Sequence, residues 1–143
     1  MPDGSILSPS ESLVSERGRK ITILGSTNDP SSIATFAQDS DFLIHECGIV
    51  TQYVSRLDEE QIAHKVTETG HSTEVMAACF AQSINARNLV FTNLSQGFPD
   101  PTRTRLGFNQ LKKLVEKTKP HFRGAVHVAH DGLLLPIPPP VGE

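Results

Sequence analysis

An α/β fold follows from three features of the sequence. Short, β-branched apolar runs alternate with helix signals along the whole chain, polar groups collect where those runs end, and no internal repeat interrupts the pattern. The 143 residues fit one domain, large enough to bury a single core.

Residues 1–18 are polar and turn-rich, with Ile6, Leu7, Leu13 and Val14 to bury, and read as an extended lead-in. A domain over 19–138 follows, then a proline-rich tail at 139–143. The first strand is expected at 20–24, where Gly25 ends the apolar run. Asp29-Pro30 pairs an N-cap residue with a proline at the first helical position, so a short helix is expected at 31–38. Its inner face would be Ile33, Ala34, Phe36 and Ala37. Residues 41–46 form the next strand, apolar until His45 and Glu46 emerge at its tip. Such a run with a polar end suits a buried parallel strand whose C-terminal edge carries function.

Residues 48–57 have no period, and Asp58-Glu59-Glu60 opens a weakly amphipathic helix or turn reaching about Val66. Gly70-His71-Ser72-Thr73 then places an imidazole just before a helix over 73–86, capped by Ser72 or Thr73. Val75, Met76, Cys79, Phe80 and Ile84 recur at helical spacing and predict its buried face. The third strand is expected at 88–92. Asp100-Pro101 repeats the cap-plus-proline signal before a helix over 102–118 that buries Leu111, Leu114 and Val115. Strands at 125–129 and 132–137 close the domain around His130-Asp131-Gly132, a plausible tight hairpin.

Composition narrows the function classes. A net charge of -3 gives no basic signature, so nucleic-acid binding would require a local patch. Cys47 and Cys79 read as interior residues in a reducing compartment. No apolar run approaches membrane-spanning length, and the opening residues resemble neither a signal peptide nor a basic presequence, so a cytoplasmic or nuclear location is expected.

Four loops carry the polar groups: Ser26 to Asp29, His45-Glu46, His71-Ser72 and Thr92-Asn93. On parallel neighbouring strands they would meet at one sheet edge. His71, Glu46 and His45 are the candidate catalytic residues, because a carboxylate beside an imidazole sets its tautomer for proton transfer. Separate caps and turns are the alternative. No HxxxH, HxH or CxxC spacing occurs to suggest a metal. His64 is expected to be solvated, His121 to lie in a loop, and His127 to be satisfied structurally. The basic residues at 103, 105, 112, 113, 117 and 119 read as a solvated helix face, with phosphate binding left open.

Taken in order, these motifs resemble the C-terminal half of RNase Z (tRNase Z), the tRNA 3′-processing endonuclease of the metallo-β-lactamase fold. Asp3-Gly4 and Gly18-Arg19-Lys20 resemble the lead-in to that family's GDT loop. Residues 41–47 are similar to its DLLIHEAT strand, and Gly70 to Thr73 are identical to its GHST element. Thr92 to Phe98 are similar to its THFSxRY segment, and Ala129 to Pro138 to its closing A.DG…IP. The resemblance implies half of an αββα fold, a tRNA precursor as substrate and two zinc ions in the complete enzyme. It also implies that the His71 position protonates the leaving group.

Three departures bear on activity. The bridging aspartate of GDT falls on Ser26, the histidine of THFS on Asn93, and the arginine of SxRY on Gly97. The HxHxDH motif of the family has no counterpart in these residues. Serine and an amide are poor zinc ligands, so no metal is expected in this chain alone. Thr92 and Ser95 remain as candidates to touch RNA phosphate. Two function classes follow: an endonuclease half active only with another chain, or an interaction or RNA-binding module without chemistry. Either way a sheet face that the other half covers in the family is left bare. A homodimer or a partner chain is therefore expected, with fold-back of residues 1–18 as the alternative.

Overall fold

The computed structural model describes residues 18–48, 58–94 and 105–139. The expectations for residues 1–17, 49–57, 95–104 and 140–143, including Ser95, Gly97 and the Asp100-Pro101 cap, lie outside them. In chain order the elements are β1 (Ile21–Ile23), a 3₁₀ turn (Ser31–Ile33), α1 (Ala34–Ala37), β2 (Phe42–Glu46) and α2 (Glu59–Glu68). They continue with α3 (Glu74–Ser83), β3 (Asn88–Thr92), α4 (Arg105–Thr118) and β4 (Ala125–Val128).

The strands form one parallel sheet in the order β1-β2-β3-β4. Ile23 pairs with Ile44, Ile44 with Val90 and Val90 with His127, so equivalent positions form rows across the sheet. Each connection carries helix and returns to the adjacent strand, and right-handed crossovers place α1, α3 and α4 on one face. Strand alternation sends Leu43, Leu89 and Phe91 toward those helices, where all three are fully buried against Ala77, Ala81, Ile84 and Leu114. This is the core.

The opposite face is also apolar, but only partly covered. Phe42 and Val90 are buried, whereas Ile21 and Ile23 on edge strand β1 are 46% and 71% exposed. What covers the middle of this face corrects the expected last strand. Residues 132–137 join no sheet ladder among the described residues. After the turn closed by Leu133 N–H to His130 O (3.0 Å), Leu133, Leu135 and Ile137 line a groove of about 350 Å³ with Phe42, Ile44 and Val90. Their alternation is used for burial against the sheet face. Pro136 lacks the N–H that an antiparallel ladder would need.

The buried side of α3 also differs from expectation. Ala77, Ala78, Phe80, Ala81 and Ile84 are buried, Val75 and Met76 only half-buried, and Cys79 exposed. Alanines let the helix axis approach the sheet closely, so the small-residue side turns inward. Of the two cysteines only Cys47 is interior, and its burial pushes the thiol well above its usual range, with Glu74 and Glu46 adding to the shift.

Candidate functional site

In a parallel sheet with neighbouring crossovers, the loops after β1, β2 and β3 all leave from one edge, and α3 starts there. Local sequence shapes each loop. Asp29 accepts from Ser31 N (3.0 Å), and the bonds from the Ser31 hydroxyl and backbone hold its carboxyl below the usual range. It closes a local turn around Pro30 and is not the expected N-cap: the 3₁₀ turn begins at Ser31, with Pro30 at the cap position and no side-chain cap bond. α2 opens on a full capping box, in which the Asp58 carboxylate accepts from Gln61 N (2.8 Å) and Gln61 Oε1 from Asp58 N (3.1 Å). Gly70, at φ 78, turns the chain between α2 and α3 in the left-handed region. Thr73 caps α3 by accepting from Met76 N (3.2 Å), leaving Ser72 for another task.

That task joins three loops. The Glu46 carboxylate, almost fully buried, accepts from Ser72 N through Oε1 (2.9 Å) and from His71 Nδ1 through Oε2 (3.0 Å). Ser72 Oγ donates to Thr27 O (2.6 Å), and Asn28 Nδ2 donates to Thr67 O (3.0 Å), tying in the loop after β1. A carboxylate accepts, so in this bond His71 donates from Nδ1, and its Nε2 has no hydrogen-bond partner among the described residues. The imidazole is 35% exposed at the sheet edge. The arrangement is a half-open histidine whose orientation is set by a buried acid, which suits proton transfer to or from an approaching group.

Gly48, two residues after β2, makes this approach possible. Its N–H donates to Ser72 O (2.9 Å), and a Cβ there would sit 2.7 Å from His71 Cβ and 3.1 Å from Val66 Cγ1. In the sequence Gly48 only opens a stretch without period. A glycine two residues past a strand tip is the signal that could have exposed its role.

The remaining candidates fall elsewhere. His45 is not joined to the pair: strand alternation turns it into the core, where its ring meets Phe80 edge-on at 6.3 Å and Nδ1 donates to Glu46 O (2.7 Å). Its Nε2 has no hydrogen-bond partner among the described residues, and desolvation lowers its pKa despite the nearby Glu46 charge. Thr92 is half-buried and lines the groove on the open sheet face. His64 is solvated beside Glu68, and His127 is bonded to Asn88 Oδ1 at 3.1 Å.

Ser26 and Asn93, at the positions where the resemblance implies metal ligands, are exposed. Asn93 takes a left-handed backbone, φ 52, which asparagine tolerates well. Among the described residues no group of three or more His, Cys, Asp or Glu converges to hold a metal, and Nδ1 of His71 is already engaged by Glu46. This donor set does not fit zinc. No helix among these residues is long and apolar enough to cross a membrane.

No protein-family model matches the chain. Ribonuclease Z from Myxococcus xanthus is 32% identical over 140 residues, covering 96% of this chain and 39% of its own length. Ribonuclease Z from Lactobacillus acidophilus is 35% identical over 119 residues, 82% of this chain and 35% of its own. The chain thus spans under two fifths of these curated relatives. Among solved structures, human tRNase Z, short form, aligns with a TM-score of 0.55 at 30% identity, over 85% of this chain and 34% of that one. A metallo-β-lactamase fold protein from Bacillus subtilis aligns with a TM-score of 0.56 at 22% identity, over 79% and 38%, and speaks to the fold alone. With the helix-capped histidine, its buried acid and the parallel sheet in agreement, the chain belongs to the ribonuclease Z family and carries part of its metallo-β-lactamase fold.

Proposed function

We propose that this chain is the C-terminal half of a tRNA 3′-processing endoribonuclease and works only with another chain that supplies the rest of the fold. The observation that carries this reading is the Glu46–His71 pair, built into the fold by three loops and with the imidazole about one third exposed. In such a pair the protonated imidazole gives Nε2–H to the leaving oxygen of a cut phosphodiester. Glu46 holds Nδ1–H throughout, so the ring cannot turn away. Zinc belongs to the assembled site; among the described residues, with Ser26 and Asn93 at the sheet edge, this half brings no group of three or more ligands. The bare β1 side of the second sheet face supports a partner chain, or a second copy, as the missing layer.

A second reading has its own support. Exposed Ser26 and Asn93 in place of metal ligands favour an RNA-binding or interaction module that has lost catalysis.

Reconstitution separates the two. The chain is mixed with the N-terminal portion of a ribonuclease Z and zinc, and cleavage of a tRNA precursor is followed. The half-enzyme reading expects no cleavage by the chain alone, even as Ser26→Asp with Asn93→His, because one or two ligands cannot position a metal. It expects cleavage by the docked pair, slowed ~10²-fold or more by His71→Ala. Cleavage by the doubly substituted chain alone would overturn this ligand argument. A pair that docks but never cleaves would favour the non-catalytic module.

A further inference from the structure

Helix α4 carries an aromatic ring where an amphipathic helix should have none. Its inward side buries Leu114 and Thr118, and its outward side presents Arg105, Phe108, Lys112 and Lys113 with Glu116 among them, while Lys119 follows in the turn after the helix. Arg105 and Lys112 are seven residues apart and so fall nearly in line, with Phe108 between them. Phe108 is 58% exposed within this row.

The basic residues of α4 divide by role. Lys117 points sideways and bridges Glu59 of α2 and Glu74 of α3 at 3.2 and 3.4 Å, so it is structural. Lys112 has only a loose pair with Glu116 at 3.9 Å. A chain of net charge -3 thus places three outward cations on one helix face and a fourth, Lys119, just past its end. Because α4 follows β3 and returns to the start of β4, its Arg105 end lies toward the sheet edge that bears His71.

We propose that the outward face of α4 is a docking surface for single-stranded RNA, with phosphates along Arg105, Lys112 and Lys113 and a base stacked on Phe108. The proposal deepens the RNA-processing reading above and rests on it for the kind of nucleic acid. Cations track the backbone without regard to sequence, and every base offers a face to stack on a phenyl ring. A protein partner fits less well, since it would have to dry several lysines, which protein interfaces avoid.

The test uses the full chain and a fluorescein-labelled oligouridylate of about 12 nucleotides, a usual single-strand footprint. Fluorescence anisotropy is followed against salt. Lys112→Glu with Lys113→Glu should weaken binding by about tenfold or more and flatten the slope of log affinity against log salt by about 1.4, two lost phosphate contacts. Phe108→Ala should weaken it by about fivefold to a hundredfold with the slope unchanged. Phe36→Ala is the control, because Phe36 on α1 is 80% exposed but has no basic neighbours in sequence.

Circular dichroism confirms that these surface variants fold. No binding by the parent chain, or binding that neither α4 change affects, would overturn the surface. So would a change in sedimentation of Phe108→Ala with RNA affinity intact, which would identify a protein interface. The half-enzyme reading is judged separately by reconstituted cleavage. A surface that binds RNA in a pair that never cleaves would stand without that reading, and cleavage at full rate by the α4 variants would leave the reading standing without the surface.

Discussion

Two parts of the same sheet edge are built to different standards. Beyond the tip of β2 the loops are tied together: Glu46 holds His71 and Ser72, Ser72 holds Thr27, and Gly48 brings the backbone within reach of Ser72. At the tips of β1 and β3, Ser26 and Asn93 are exposed side chains. A buried carboxylate must be satisfied, so the first region belongs to the cooperative structure; the exposed side chains of the second contribute little to it. The difference teaches that the Glu46–His71 pair is held in place by the folding of the chain itself, whereas the tips of β1 and β3 are not.

Substitution can break or sharpen that contrast. The largest effect is expected for Glu46→Ala, which leaves the Ser72 N–H and His71 Nδ1–H without their acceptor. A loss of about 3 kcal/mol is expected from urea unfolding, with Glu46→Gln keeping part of it because an amide can still accept one bond. A loss under about 1 kcal/mol for Glu46→Ala would mean that the network contributes little to the fold.

Next in size is Gly48→Ala. The added methyl must displace His71 or Val66, at about 1–3 kcal/mol, whereas Gly25→Ala, where nothing lies within 4 Å, should change stability by about 1 kcal/mol at most. The His71 Nδ1–H proton resonance should shift or broaden in the first variant and stay in place in the second.

The third effect depends on pH and lies just beneath the network. His45 has its folded pKa depressed below 6.5 by burial, so the unfolded chain binds more protons there in the window below that value. Its contribution is full above pH 6.5 and is lost as the pH falls. The slope approaches about 1.4 kcal/mol per pH unit. His45→Leu should remove that part of the acid sensitivity in unfolding curves at pH 7.5 and 5.5, and identical pH profiles for the two chains would contradict it.

The smallest effects belong to the exposed tips. Ser26→Asp and Asn93→His should each alter stability by no more than about 0.5 kcal/mol, whereas Asn93→Val should lose about 1–2 kcal/mol because a β-branched residue resists a positive φ. A large loss from Ser26→Asp would end the distinction between the two regions.

By itself the sequence determined whatever depends on residues within a turn of one another. The capping box of Asp58 and Gln61, the Thr73 cap with His71 just ahead of it, the polar tip of β2 and the apolar strands are all local patterns, and all are present. Only the tertiary structure decided that Glu46 and His71, 25 residues apart, bond side chain to side chain while neighbouring His45 is turned into the core. It also decided that Ala77 and Ala81, and not Cys79, face the sheet, and that 132–137 lie over the sheet face in place of a hairpin strand. The reason is physical. Propensity, capping and period act through neighbours along the chain, whereas a one-residue step in a strand reverses a side chain's face, and which face is buried depends on the elements packed against it.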